Sequence, residues 1–294
     1  MITKLETMVD VEEMKRVSGH NFEVEMKKVF AENDNIEIPH FRAVCRKDTG
    51  LPLSVVSERY QPYQPAEVWD FAEQFCKVSG GKIDRAMILE NGRRIGVSVF
   101  LQDKEYMKGD VISNNFLLWN TFDGTKPFMG MGLSRRFFCQ NQFATSEQYF
   151  SIRHTMSLLD RVGEARNMMN FYIEEQKNRD EQIVSLVNKK MEKNEAMRWF
   201  EYLFPEPETE RSRTMLANKL QIFSNRLDDG IGVEGIEGMR GTAYWAFNGL
   251  TEYVNHDKTL RSGDANIDDS RFNSTIFGSG GNLIRIGLKT ILAA

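Results

Sequence analysis

The chain has 294 residues, 41% of them apolar and 27% charged, which is enough apolar material for one large core or two modest ones and too much for wholesale disorder. A formal net charge of −4 excludes a protein that coats nucleic acid by bulk positive charge, so any basic face has to be local. Cys45, Cys76 and Cys139 lie far apart without a CxxC pair, the N-terminus MITKLETMVDVEEMKRV lacks the basic start and apolar run of a leader, and no run approaches the ~20 apolar residues of a membrane span; a disulfide framework, a secretory signal and a spanning helix are not expected.

Residues 1–36 are expected to form an N-terminal helical arm, with Val11 and Met14 before the Ser18-Gly19 break and Phe22, Met26, Val29 and Phe30 after it at helical spacing. Residues 37–156 are expected to form an antiparallel α+β core. HFRAVCRK and PLSVVSERY flank a DTG turn, and PAEVWDFAEQFCKVSGG has the proline start and glycine stop of a helix. KIDRAMILENGRRIGVSVFLQD reads as a hairpin around Asn91-Gly92, and DVISNNFLLWNTFDG and GLSRRFFCQNQFA as two further strands.

Helical spacing takes over in residues 157–229, where Leu158, Val162, Ala165, Met169 and Tyr172 share one face. That stripe needs an apolar partner, so residues 157–200 are expected to be mainly helix and to make contacts between subunits of a homo-oligomer. Pro205 and Pro207 end this run, and TERSRTMLANKLQIFSNRL supplies another helix. Residues 230–294 are expected to hold a glycine-rich loop, a helix with Thr242 as N-cap and Ala243, Ala246, Phe247, Leu250 and Val254 on one stripe, and a tail packing on the core. The fold class is therefore α+β: a central antiparallel sheet with packed helices, then a long helical region and a C-terminal helix.

The densest chemistry sits in SRRFFCQNQFATSEQYFSIRHT, residues 134–155. A nucleophilic cysteine needs a base, and the nearest histidine to Cys139 is His154, fifteen residues on. Cys139 follows two phenylalanines in a strand-like run, where cysteine behaves as a small buried hydrophobe, so it is expected to be structural and no catalytic residue is assigned. His20, His40 and His256 form no metal-ligand spacing, and neither a metal nor a cofactor is expected. The glycines of GSGGN, 278–282, offer backbone N–H groups to a phosphate at a helix start, yet loops of this kind are more often turns.

The arginine pairs point elsewhere. Between residues 84 and 170 eleven lysines and arginines stand against nine acids, in a chain that is acidic overall. Aromatic residues interleave with them, as in sheets that hold single strands on cationic tracks and stacking platforms. Residue by residue, the reading of aromatics as core and arginines as solvated strand ends is favoured. For a nucleic-acid surface the candidates are Arg93, Arg94, Arg135, Arg136 and Arg153 as phosphate contacts, with Trp119 and Phe122 as stacking residues beside the turn at Asp123.

The order YQPYQPAEVWDFAE, MILENGRRIGVSVF, NNFLLWNTFDGTKPF, SRRFFCQNQFATS, SIRHT and GTAYWAFNGLTEYVNH resembles the phage- and plasmid-encoded family called domain of unknown function 932. The resemblance covers residues 55–256 and rests on Tyr60, Gln64, Pro65, Gly92, Asp123, Gly124, Arg136, Cys139, Asn141, Arg153, His154, Thr155, Thr242, Trp245, Asn248, Glu252, Tyr253 and His256. Gln142 and Asn255 depart from the family pattern, which has threonine and aspartate there. The resemblance implies a mobile genetic element and carries no assigned reaction; the scattered cysteines and the lack of a leader-like or spanning run make the host cell cytoplasm the expected location. Two functions follow as expectations: a protein that binds single-stranded DNA or assists recombination or replication, and, as the alternative, a protein-binding modulator of a host defence or regulatory protein. An enzyme is not expected.

Overall fold

The computed structural model describes residues 2–5, 10–32, 36–136, 147–229, 236, 238–259 and 267–293. Its first half runs β1 (Ile2–Lys4), α1 (Val11–Ser18), β2 (Val24–Phe30), β3 (Glu37–Arg46), β4 (Pro52–Ser57), α2 (Pro65–Ser79), β5 (Lys82–Leu89), β6 (Arg94–Met107), β7 (Asp110–Thr121), β8 (Phe128–Arg136) and β9 (Glu147–Ile152). Helices follow: α3 (Leu158–Asn167), α4 (Met169–Asn188), α5 (Lys193–Tyr202), α6 (Glu210–Asp229), α7 (Ala243–Glu252), α8 (Ile267–Phe277) and α9 (Ser279–Ala293). One sheet has the order β1-β5-β6-β7-β8-β9 and a second the order β2-β3-β4. The class is α+β, with a large antiparallel sheet, packed helices and a C-terminal helix. No described helix is long and apolar enough to cross a membrane.

The chain divides into two compact units, the first made of Met1–Leu101, Asn115–Gly132 and Glu147–Ile173, the second of Gln102–Asn114, Leu133–Ser146 and Glu174–Ala294. The cut therefore differs from boundaries placed at 156 and 229: α3 belongs with the first unit, and the β6–β7 hairpin end with the second. The stripe Leu158, Val162, Ala165, Met169 and Tyr172 is buried in the first unit's own core. Residues 157–200 are indeed mainly helix, but the apolar partner that the stripe needs is found within the chain.

In the first unit α2 begins where the sequence says, with Pro65 at its first turn, the Glu67 carboxylate accepting the Gln64 backbone N–H at 2.7 Å, and Gly80 in the left-handed region as its stop. It buries Val68, Trp69, Phe71, Ala72 and Phe75. An aromatic pile lies on it, with Phe75 stacked on Phe116 at 4.1 Å and Tyr149 on Tyr172 at 5.3 Å. The helical arm expected through residue 36 ends at α1, because residues 24–30 form a strand. Phe22, Val24 and Met26 face or pack on the core, while Glu23, Glu25 and Lys27 alternate with them: a period of two that the spacing of Phe22, Met26 and Phe30 disguises.

Strand β2 is an edge, and the chain guards it. The Gln64 side-chain amide accepts the Val24 N–H at 3.0 Å and donates to the Val24 carbonyl at 3.1 Å, as a neighbouring strand would. Lys27, Lys28 and a register shift between Lys28 and Phe30 discourage pairing beyond it.

The second unit is built around α7, every residue of which is buried. Thr242 caps it by accepting the Trp245 N–H at 3.1 Å, as its position before an apolar stripe predicts. Phe200 of α5 stacks on Phe223 of α6 at 4.0 Å. A buried aspartate, Asp180 of α4, gathers donors from Tyr106, Lys104 (3.0 Å) and Asn114 (3.2 Å), and thereby fixes α4 to the β6–β7 hairpin end.

Replacing Gln64 with alanine strips both bonds from Val24, and in urea unfolding it should cost about 1–2 kcal/mol. Gln64→Glu, which can accept the N–H but sets a carboxylate against the Val24 carbonyl, should recover none of that loss. An unchanged unfolding midpoint in Gln64→Ala would show that the edge guard carries no stability.

Candidate functional site

Arg93 closes the 3₁₀ turn Glu90–Gly92, with helical rather than extended backbone, and so stands outside the strand alternation that would have sent it away from Arg94. Both arginines turn to Glu90, each at 3.1 Å. Arg93 also donates to the Leu53 carbonyl at 2.7 Å, and Arg94 reaches Asp123 at 3.3 Å. Their charges are met within the first unit. Arg153 is exposed; Arg135 and Arg136 lie at the end of β8, and the structure describes nothing of their side chains.

Trp119 and Phe122, expected as stacking residues, are 0% exposed and cannot receive a base. Strand β7 is covered on both faces along nearly its whole length, so a residue beside its turn gains no exposure. Trp119 packs over Gly96, where an added Cβ would come within 2.9 Å of the indole, and Phe122 meets Phe22 edge-on at 6.1 Å. Of the seven residues expected to hold a single strand, two are core and two are internally paired. Cys139 and Asn141 lie outside the described residues.

The positions that carry the family resemblance fall into two sets. In the first unit the Tyr60 ring stacks on His154 at 4.7 Å and its hydroxyl donates to the Thr121 carbonyl at 2.6 Å. His154 Nδ1 faces the Gln61 carbonyl at 2.9 Å; a carbonyl only accepts, so Nδ1 carries the proton and the buried Nε2, which has no hydrogen-bond partner among the described residues, is the bare nitrogen. Burial lowers the His154 pKa, the Gln61 bond and the nearby Asp123 charge opposing it. Asp123 accepts from Thr125 as well as Arg94. This set clasps the entry to α2 between the ends of β7 and β9.

In the second unit Trp245 donates to the Leu227 carbonyl at 2.9 Å, and Asn248 to the Tyr244 carbonyl at 2.9 Å. A π-helical turn, Tyr253–Asp257, continues α7. Arg226 joins Asp257 at 2.7 Å and the buried Glu252 at 3.5 Å. His256, half-buried beside them, is held below the usual histidine range by burial and by Arg226, with Asp257 opposing. These bonds tie α6 to the end of α7, and the chemistry they display is that of a closed polar joint.

The GSGGN glycines begin α9, but their use is close packing. A Cβ at Gly280 would stand 2.9 Å from Val254 and 3.0 Å from the Ser274 carbonyl, and one at Gly281 would run into the Thr275 carbonyl. The neighbouring carbonyls end α8 and present partial negative charge, which opposes the attraction of a helix start for phosphate.

The surface that the sequence reading missed is the outer face of β2-β3-β4. Lys27, Ala43 and Val55 are paired across the three strands, and Phe41 lies two residues from Ala43 on the same face, opposite Ser57. Phe41 is 47% exposed and Val55 56%, and Ile36, Ile38 and Phe30 are exposed toward the β2–β3 end. A solvated sheet face is normally polar. Here the arginines of HFRAVCRK turn the other way: Arg46 lies over the Phe22 ring at 4.1 Å and Arg42 pairs with Glu37 at 3.3 Å, with buried Val44 between them.

Burial pushes the pKa of His20 down to about 4, while Nε2 bonds the Met87 carbonyl and Nδ1 accepts from Trp69. A folded-state pKa below the unfolded value means that the unfolded chain binds the extra proton. Stability should therefore be full above about pH 6.5 and fall by roughly 3 kcal/mol as pH drops toward 4. Chemical denaturation across that window should show a shallower slope in His20→Gln, whose amide can replace both bonds. Separately, Gly281→Ala should destabilise the chain by about 1–3 kcal/mol in the same assay, by overpacking against α8; a neutral effect would return the glycines to a ligand role.

No curated protein and no solved structure matches this chain. A family model does, over residues 52–275, a stretch that includes Tyr60, Gln64, Asp123, His154 and the whole of α7 with its π-helical turn. With that stretch covering well over half of its length, the chain belongs to the family described as domain of unknown function 932.

Proposed function

We propose that this chain is a protein-binding modulator, acting by binding rather than by turning over a substrate, and that its partner sits on the outer face of β2-β3-β4. The observation that carries this reading is the apolar row of exposed Phe41 and Val55 with half-buried Ala43 between them, rimmed by the Glu25–Lys27 ion pair at 2.8 Å. Single exposed hydrophobics are ordinary, but a contiguous apolar patch with a polar rim is the mark of an interaction surface. Phe41 and Ala43 precede residue 52, so part of this surface lies outside the stretch that the family model matches.

The single-strand reading ranks second and is favoured, among the described candidate side chains, by exposed Arg153 alone. Phosphate tracks need cations free to replace counterions, and Arg93 and Arg94 are engaged with Glu90. A phage or plasmid origin and a host defence target fit a binding protein of this kind and remain part of the proposal.

A photo-crosslinking residue at position 55 should give a discrete protein adduct in cells, which Phe41→Asp abolishes while leaving thermal stability unchanged. The same crosslinker at exposed Glu210 should give none. Absence of an adduct at 55, together with salt-sensitive retention of a short single strand that Arg153→Ala weakens, would reverse the order of the two readings.

A further inference from the structure

In the first unit a cleft of about 660 Å³ opens between the β3–β4 turn and the β5–β6 turn, within the size range of ligand pockets. Arg46, Gly50 and Leu51 line it from one side, and Ile88, Glu90 and Asn91 from the other. Three features distinguish it from a gap between loops.

The first is the Arg46 guanidinium, which is fixed in its own plane. Its Nε and Nη2 hold the Asp48 carboxylate at 3.0 and 2.7 Å, its Nη1 donates to the Asn91 carbonyl at 3.1 Å, and Phe22 lies against the cation at 4.1 Å. Three of its five N–H groups are engaged and Phe22 covers one face, so what this group chiefly offers the cleft is its other flat cationic face. The second is the wall chemistry: Leu51, 39% exposed, and Ile88 both line the cleft. The third is the backbone at the rim. Glu90 and Asn91 both have positive φ, 49° and 59°, in succession and without being glycine. Such conformations cost free energy and concentrate at binding sites, and here the Arg46 bond to the Asn91 carbonyl helps to hold them.

We propose that this cleft receives an aromatic side chain of the partner protein, a tryptophan or tyrosine ring laid against Arg46 between Leu51 and Ile88. A flat ring matches a fixed guanidinium face and two aliphatic walls, and cation–π contact with arginine is worth most where water is excluded. Large aromatic anchors in pockets also dominate protein interfaces. A nucleobase would fit the same walls, but its phosphates would meet charges that are already paired, Arg46 with Asp48 and Glu90 with Arg93 and Arg94. The proposal rests on the protein-binding reading and gives it an anchor on the β3–β4 turn of the same sheet.

The test titrates the full-length protein with N-acetyl-tryptophanamide, following the Leu51 and Ile88 methyl groups and the Arg46 Nε–H by nuclear magnetic resonance. Ring-current shifts confined to these groups are expected, with none from N-acetyl-leucinamide. Arg46→Lys keeps the charge and loses the flat face, and should bind the indole about tenfold more weakly. Leu51→Ala, on an exposed turn that tolerates trimming, should weaken it as well and stands in if Arg46→Lys unfolds. Shifts of equal size from the leucine amide, or none from the indole, overturn the site. Tighter binding of adenosine than of the indole overturns the side-chain assignment. Because the titration needs no partner, its failure leaves the adduct at position 55 to stand or fall separately.

Discussion

Strand β7 is covered on both faces, and that constraint orders much of the chain. A strand so placed has to find partners inside the protein for its polar groups, at a cost of roughly 1–3 kcal/mol for each one left bare, and it finds them for most. Asn120 donates to the Tyr63 carbonyl at 2.8 Å, the Thr121 carbonyl takes the Tyr60 hydroxyl, and Asn115 reaches Ser98 at 3.2 Å, all within the first unit. In the second unit Asn114 reaches Asp180, and Asp110 takes the Tyr244 hydroxyl at 2.6 Å. The partners of β7 are thus the entry to α2, the middle of α4 and the first turn of α7. Several of them, or their neighbours, are the positions by which the family is recognised, which explains why those positions read as chemistry in the sequence and act as joints in the fold.

Where local signals and tertiary packing agree, the elements were legible. Pro65 and Gly80 bracket α2, Asn91-Gly92 turns β5 into β6, and Thr242 opens α7, because each depends on one residue's backbone preference or one side-chain oxygen. The second strand was not legible by spacing alone. Phe22, Met26 and Phe30 satisfy a helical stripe and Phe22, Val24 and Met26 a strand face, and the choice between them is made by β3, through a ladder running from Val24↔Arg46 to Lys28↔Arg42. Subunit contacts inferred from the α3 stripe failed as an argument for the same reason: a stripe states that an apolar partner exists, and the chain's own aromatic core supplies it.

The candidate site was hidden by a reasonable convention. In a half-buried strand the arginines of HFRAVCRK should face water and Phe41, Ala43 and Cys45 the core. The structure reverses this at Phe41, although Cys45 stays buried, because Arg46 finds an aromatic face in Phe22 and two acceptors in Asp48 and Asn91, while Arg42 finds Glu37. Once those cations are satisfied on the inner side, Val44 fills the space between them and Phe41 is left outside. Sequence alternation specifies two faces; which of them is buried was decided by side-chain contacts that include the distant Phe22 and Asn91. Trp119 and Phe122 illustrate the converse, since a strand covered on both faces offers no solvent side on which an aromatic can serve as a platform.

Charge pairing bears on function in the same way. Eleven basic residues between 84 and 170 make a suggestive local excess only while each is counted as free. Arg93 and Arg94 share Glu90, and Arg94 also meets Asp123, so the hairpin presents a neutralised cluster. A cation already matched by a carboxylate releases few counterions when a phosphate approaches, and the electrostatic term that dominates affinity for nucleic acid is correspondingly small. Apolar burial needs no free charge, and its gain scales with the area removed from water, about 25 cal/mol for each Å². A surface with paired charges at its rim and exposed Phe41 and Val55 at its centre is therefore suited to a partner that brings apolar area, which is the physical ground for ranking a protein above a single strand.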